Sequence, residues 1–468
     1  MEAQDTTHAR LLAGELKGLK RLDLSCGLTG FPPEIFELAD SLEVLNLSGN
    51  QLSELPHDLH RLHRLQVLFC SGNRFTELPT ALGACTSLET VGFKSNSIRQ
   101  VDARALPASL RWLILTDNRI EELPAELGQR PRLQKLMLAG NRLRALPPSL
   151  AHCLQLELIR IAANPLESLP DWLTALPRLA WIACAGTPCA PDLGSPALPE
   201  IAWDRLTLEA VLGEGASGVI HQAQQRHGDG PRPVAVKIFK GAVTSDGWPA
   251  DEMAACMAAG LHPQLVGAQG RIAGHPQRRQ GLVMPLVDSS FQVLAGPPSL
   301  ASCTRDVYPE RAAFSPATAL RIALDIARAV AHLHQRGILH GDLYAHNILV
   351  GPEGAALLGD FGAASRFSTE AGATRSTTLQ RLEARAFGCL LEELCQRCDA
   401  PATDPALQTL VALRDRCLHE QVDTRPSFAE LVQTLAVASQ ALSAGGSARG
   451  QARTVQRELQ PETGAGRR

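Results

Sequence analysis

His340 to Gly362 reads HGDLYAHNILVGPEGAALLGDFG and sets three oxygen donors on two tight loops: Asp342, Asn347 five residues on, and Asp360 directly before Phe361 and Gly362. Transfer of a phosphoryl group asks little covalent chemistry of a protein. It asks for a carboxylate that takes a hydroxyl proton, hard oxygen ligands for magnesium, and neutralising charge around the phosphates. The three side chains have the chemistry for the first two tasks.

Upstream, VLGEGASGVIHQA carries Gly213, Gly215 and Gly218 as GxGxxG between two apolar, strand-like runs, with Ile220 shortly after. Backbone without side chains can turn sharply between strands and approach phosphates closely. A dinucleotide-binding fold would open a helix after such a loop, whereas here a further strand follows, PVAVKIF. That strand carries Lys237, and the helical stretch ADEMAACMAAGLHP offers Glu252, or the shorter Asp251, to hold it. GLVMPLV, from Gly281 to Val287, reads as a buried strand, and residues 288 to 316 as an irregular hinge and inserted loop. SPATALRIALDIARAVAHLHQRG is a long amphipathic helix, with a proline in its first turn and a terminal glycine, that delivers the chain to His340.

In this order the motifs resemble the catalytic core of eukaryotic-type protein kinases, over roughly residues 204 to 440. The resemblance implies a two-lobed α+β domain that uses ATP with Mg2+ or Mn2+. It implies Asp342 as catalytic base, Asn347 and Asp360 as metal ligands, and Lys237, held by Glu252, on the α and β phosphates. Nucleotide contacts are implied at Leu212, Gly213, Gly215, Gly218, Ile220, Ala235, Pro285, Val287 and Leu349, with the Pro285 carbonyl and Val287 amide toward the adenine and Met284 behind it.

The chain also departs from the family. LEARAFGCLLEEL and HEQVDTRPSFAELVQTL resemble the large helical segments of the C-lobe, but only a short stretch separates Phe361 from Ala384 and it contains no Ala-Pro-Glu. Arg425 is thereby left without its usual glutamate partner, and Glu383 stands where an aspartate is usual. Gly341 replaces an arginine, and Tyr344 replaces the lysine typical of Ser/Thr kinases. With no cation at 341, activation is not expected to require phosphorylation of Ser365, Ser368, Thr369 or Thr374.

From about Leu19 to Thr187 the chain repeats the frame L-x-x-L-x-L-x-x-N-x-L, clearest in LEVLNLSGNQL, LRWLILTDNRI and LQKLMLAGNRL. The frame asparagines are Asn50, Asn73, Asn96, Asn118, Asn141 and Asn164, at steps of 22 or 23 residues. Alternate leucines of a short strand point one way, into a stack of neighbours, because one repeat cannot bury its apolar face alone. The asparagine amide can bond backbone of adjacent turns that would otherwise be buried and unpaired. This resembles the leucine-rich repeat family. About eight units are expected, the first and last lacking the asparagine as terminal repeats do. The residues beside the inward leucines should line a concave face, where Trp112, Ile114, Met137, Leu158 and Trp181, near Arg160, form an apolar patch fit for a protein ligand or for the kinase domain itself.

At 468 residues the chain exceeds one ordinary core, and a formal net charge of −3 offers no basic surface for nucleic acid or an anionic membrane. No apolar run is long enough to span a bilayer, and MEAQDTTHARLL lacks the basic start and apolar stretch of a secretory signal, so a cytoplasmic protein is expected. Cysteines are scattered, several within apolar patterns where a reduced thiol acts as a small hydrophobe. Cys395 and Cys398 form a CxxC with no second pair to complete a metal site.

The expected fold class is an α/β leucine-rich-repeat solenoid followed by a two-lobed α+β protein kinase domain. Its parts are a repeat domain at 11–190, a Pro-rich linker at 191–203, the kinase domain at 204–440 and a disordered tail at 441–468. The expected function is transfer of the γ-phosphoryl group of ATP to a protein hydroxyl, Ser or Thr, with the repeats as a recognition module. The alternative is a pseudokinase scaffold acting only through protein binding. Presence of all five residues Lys237, Glu252, Asp342, Asn347 and Asp360 favours the first. A small-molecule phosphotransferase would leave the repeats without a purpose.

Overall fold

The computed structural model describes residues 2–188, 190, 199–215, 217–240, 243–244, 246–368 and 374–458. Thr369, most of the linker and the last ten residues of the tail lie outside them. The first half opens with helix α1 (Glu2–Leu12) and continues as eight three-residue strands. These are β1 (Arg21–Asp23), β2 (Val44–Asn46), β3 (Val67–Phe69), β4 (Thr90–Gly92), β5 (Trp112–Ile114), β6 (Lys135–Met137), β7 (Leu158–Arg160) and, after the short α2 (Asp171–Thr174), β8 (Trp181–Ala183). They pair in parallel and in sequence order. The register aligns Leu22, Leu45, Leu68, Val91, Leu113, Leu136, Ile159 and Ile182 in one buried row. Period-two alternation then sends the residues on either side of that row to the opposite, concave face.

The frame asparagines tie consecutive turns together. Asn164 is buried; its Oδ1 accepts from the Leu143 amide at 3.1 Å, and its Nδ2 donates to the carbonyls of Leu138 and Ile161, each at 3.0 Å. Asn164→Ala would strand these buried backbone groups and is expected to cost about 2–3 kcal/mol in urea unfolding. A loss within 0.5 kcal/mol, roughly the scatter of neutral surface changes, would show the ladder to be dispensable.

The first residue buried in the repeat core is Leu11. Helix α1 sets Leu11, and the turn after it Leu16, into the solenoid core, where they close an apolar end that the first repeat would leave open.

The second half opens on a six-stranded sheet in the order β10-β11-β12-β14-β13-β9. Its strands are β9 (Glu200–Ala202), β10 (Leu206–Glu214), β11 (Gly218–His227), β12 (Gly230–Phe239), β13 (Gly270–Ala273) and β14 (Gly281–Pro285), with α3 (Pro249–Ala259) between β12 and β13. The linker is therefore shorter than 191–203. Its last residues form β9, which pairs in parallel with β13 because Ile201 is buried with Val236 and Val283.

Below the sheet lie β15 (Gln292–Val293), helix α4 (Pro316–Gln335), β16 (Ile338–Leu339), β17 (Ile348–Val350), β18 (Ala356–Leu358), β19 (Ser365–Arg366), and helices α5 (Thr374–Cys395), α6 (Pro405–Cys417) and α7 (Phe428–Glu458). α4 is the buried axis that α5, α6 and α7 pack around. Two expectations change here. α5 starts at Thr374, so a helix stands where an activation segment would run. α7 continues through the stretch expected to be disordered, as far as Glu458.

The two halves share cores. Leu339, Phe367, Leu379, Leu382 and Val422 belong to the cluster of the repeat leucines, while Leu158 and Trp181 belong to that of the kinase-like lobe. Ala139, Ala162 and Ala183, one small residue from each of three repeats, meet Ala363 and let backbone approach backbone.

Candidate active site

The hairpin β17–β18 brings the two expected metal ligands together. Ile348 pairs with Leu358, and the Gly359 amide donates to the Asn347 carbonyl at 2.9 Å, so Asn347 and Asp360 leave the same end of the hairpin. Asp360 holds a left-handed backbone (φ 54°) and accepts from the Gly362 amide at 3.0 Å; its side chain is 48% exposed. Both amide hydrogens of Asn347 are spent on Asp342, one on its carbonyl and one on Oδ2, each at 2.9 Å. Asn347 Oδ1 is thereby left for a cation.

Lys237, on β12, is ion-paired with Glu252 of α3, and its Nζ lies 4.0 Å from Asp360 Oδ1. Glu252, not Asp251, is therefore the partner. Burial pulls the Lys237 pKa down, but the charges of Asp360 and Glu252 outweigh it and leave it raised. Burial pushes Glu252 up to about 7 against the pull of Lys237. Asp251 instead sits under the last repeat turn, where a Cβ on Gly186 would come within 2.6 Å of its Oδ2.

The glycine-rich turn joins β10 to β11, and the Gly215 amide donates to the Gly218 carbonyl at 2.9 Å. Among the described residues, nothing beyond their chain neighbours lies within 4 Å of where a Cβ would stand on Gly213 or Gly215. At Gly218 a Cβ would meet the Ile238 carbonyl at 2.6 Å, so that glycine serves close strand packing instead. Leu212 is exposed, Ile220 half-buried, and Ala235 buried opposite Met284 in the β12–β14 register. Pro285 ends β14, Val287 follows half-buried, and Leu349 lies in β17. These residues fit a nucleotide and its magnesium: an open glycine cradle, a paired lysine, and two hard oxygen donors side by side.

Asp342 is set by more than its own loop. Asn347 holds its Oδ2, and Glu383 takes the Gly341 amide at 2.7 Å while also pairing with His334 at 2.7 Å. His346, next to Asn347, is anchored on Asp306, which accepts from its amide at 2.9 Å and meets its Nδ1 at 2.8 Å. The remaining partner comes from the repeats. Arg160 of β7, 3% exposed, donates through Nη2 to Asp342 Oδ1 and through Nη1 to the Gly341 carbonyl at 3.0 Å, while its Nε faces Asp246 at 2.6 Å. Burial raises the Asp342 pKa, but the Arg160 charge, helped by His346 and His340, holds it below the usual carboxylate value.

The concave patch thus has an occupant within the chain. Trp181 is 1% exposed, donates Nε1 to the Leu343 carbonyl at 3.0 Å and stacks on Tyr344 with ring centres 4.3 Å apart. Leu158 is buried beside it, and Lys135 reaches the Cys303 carbonyl at 2.9 Å under the half-buried Trp112 and Met137. Ile114 is also half-buried. The Cys184 amide donates to Ser365 Oγ at 3.0 Å, so Ser365 is enclosed. Arg425, fully buried, donates to the Pro177 carbonyl at 2.7 Å, where the family places a glutamate.

Sequence reasoning placed Arg160 on the concave face but did not connect it to Asp342. It did not single out Asp246 or Asp306.

Comparison with known proteins gives a family for each half of the chain. Residues 206–387 match the protein tyrosine and serine/threonine kinase family, and residues 15–75 and 108–166 match the leucine rich repeat family. A protein of Oryza sativa subsp. japonica named as a cyclin-dependent kinase is 33% identical over 160 residues, 32% of this chain and 44% of that protein. The serine/threonine-protein kinase mos of Gallus gallus is 30% identical over 210 residues, 41% of this chain and 51% of its own length. The human dual specificity testis-specific protein kinase 1 is 30% identical over 159 residues, 25% of each. The match spans about half or less of each relative. A leucine-rich-repeat protein of Leptospira interrogans is 31% identical with a TM-score of 0.36, covering 39% of this chain and 47% of that one. The chain joins an N-terminal leucine-rich-repeat region to a C-terminal domain of the protein tyrosine and serine/threonine kinase family.

Proposed function

We propose that the chain is an ATP-dependent protein kinase that transfers the γ-phosphoryl group to a serine or threonine hydroxyl. The observation that carries the reading is one cluster: Lys237 paired with Glu252 and 4.0 Å from Asp360, with Asn347 at the same hairpin end and bonded to Asp342. Asp342 takes the hydroxyl proton. Asn347 and Asp360 would hold Mg2+, which would supply neutralising charge to the phosphates when bound. Lys237 takes the α and β phosphates, and Leu212, Gly213, Gly215, Gly218, Ile220, Ala235, Pro285, Val287 and Leu349 enclose the nucleotide.

Recognition of a separate protein falls to the N-terminal strands of the concave face, where Arg21 and Asp23 are exposed and Val44, Asn46 and Phe69 half-buried. ATP as donor and eleven free cysteines among the described residues support a reducing compartment, the cytoplasm. No helix among the described residues is long and apolar enough to cross a membrane.

The test is incubation with labelled ATP, magnesium and a generic protein substrate, with Asp342→Asn as the control. The wild-type protein should label the substrate, and the variant should fall by about 10³-fold or more. Equal transfer by the two would refute the assignment of the base.

A further inference from the structure

We propose that Arg160 is a positioning residue of the phosphoryl-transfer site, so that the repeat domain supplies a cation that the catalytic loop itself lacks. The proposal rests on the kinase reading above and concerns how that site is assembled.

Departures of this chain from the kinase pattern share a direction. Gly341, where an arginine is usual, has φ 74°, and a Cβ there would lie 2.5 Å from the Ile182 carbonyl of β8 and 2.6 Å from that of Ala363. The solenoid backbone thus fills the place of a side chain at 341. Arg160 then brings a guanidinium to the same peptide from outside, bonding the Gly341 carbonyl and the Asp342 carboxylate together. Tyr344, where a lysine is usual, is stacked under Trp181. Arg425, without its glutamate, is held by Pro177. Gly341, Tyr344 and Arg425 each have a repeat residue against them, whereas Glu383 pairs with His334 and the Gly341 amide.

Two observations favour a permanent part over a removable plug. The repeat and kinase cores are continuous, so lifting the solenoid away would expose Leu158, Trp181, Phe367, Leu379 and Leu382 to water together. Arg160 and Asn347 also leave the base room to act. They take one lone pair on each Asp342 oxygen, a carboxylate has about four such sites, and 17% of the side chain remains exposed. Asp246 anchors the outer side of the guanidinium, and Lys135, His340, His346 and Tyr344 are the other polar groups around the carboxylate.

The experiment uses the full chain, with kcat and the KM for ATP measured separately. Arg160→Ala should lower kcat about 100-fold, since a misplaced base loses that much. KM for ATP should stay unchanged, because the glycine turn and Lys237 are untouched. Arg160→Lys, which keeps the charge and loses the fork, should recover about tenfold of the loss. If Arg160→Ala does not fold, Asp246→Asn, which loosens the outer anchor of the guanidinium, should lower kcat by about threefold to tenfold with KM unchanged. Arg111→Ala removes another interdomain bond, to the Ala301 carbonyl at 3.2 Å, and should leave kcat within about twofold. Transfer that rises or stays level in Arg160→Ala, or in Asp246→Asn where that variant stands in, would overturn the proposal and leave the kinase reading intact. Equal transfer by wild type and Asp342→Asn would overturn both.

Discussion

Lys237→Ala is expected to reduce phosphoryl transfer by about 10³-fold, the loss that follows from deleting one preorganised charge at a transferring group. Lys237 is 7% exposed, so its charge acts across little water, and its pKa is held above the ordinary lysine value. It is ionised at any working pH. Removing it also leaves Glu252, already pushed up to about 7 by burial, with no cation beside it, so Glu252 should go neutral and supply no positive field in its place. The loss should appear in kcat and in the KM for ATP, unlike that of Arg160→Ala. Glu252→Gln should cost less, about tenfold, because the lysine charge survives and only its tether is lost. Single-turnover rates at saturating ATP would decide, and transfer within tenfold of wild type in Lys237→Ala would place the phosphates elsewhere.

How much of this was legible in the sequence depends on how far each contact reaches. The buried row from Leu22 to Ile182 and the asparagine ladder are local, repeated every turn, and could be read from spacing alone. The pairing of Lys237 with Glu252 spans 15 residues and follows from a strand meeting the next helix. Arg160 and Asp342 are 182 residues apart, and their contact exists only because two domains dock. No periodicity encodes that. The signal that could have found it was the missing cation at Gly341, which reads as a loss until β8 is seen in its place. The helix from Thr374 and the run of α7 to Glu458 were missed for the opposite reason. The apolar pattern that marks helices elsewhere is weak in α7 and late in α5, and Gly445, Gly446 and Gly450 read against a helix.

Trp181→Ala is expected to remove about 3–5 kcal/mol of stability, the range for deleting a fully buried large aromatic. The indole carries its own area, a hydrogen bond to the Leu343 carbonyl and a parallel stack on Tyr344, and it sits where both cores meet. Its loss would open a void bounded by the last repeats on one side and the catalytic loop on the other. Neither wall can collapse into it alone, since β8 is tied to Ser365 through Cys184 and the loop is tied to Arg160. The cost should therefore fall on both domains. In wild-type protein the amides of β7, β8 and residues 339–344 should exchange with solvent at one common rate, as parts of one cooperative unit. In Trp181→Ala the two groups should exchange faster and at different rates, and urea unfolding should broaden or split. A cost below about 1 kcal/mol with exchange still matched would mean that the solenoid only rests on the kinase domain. The shared burial of Leu158, Leu339, Phe367 and Leu382 argues for the first outcome, because an apolar cluster that spans two domains cannot be exposed from one side only.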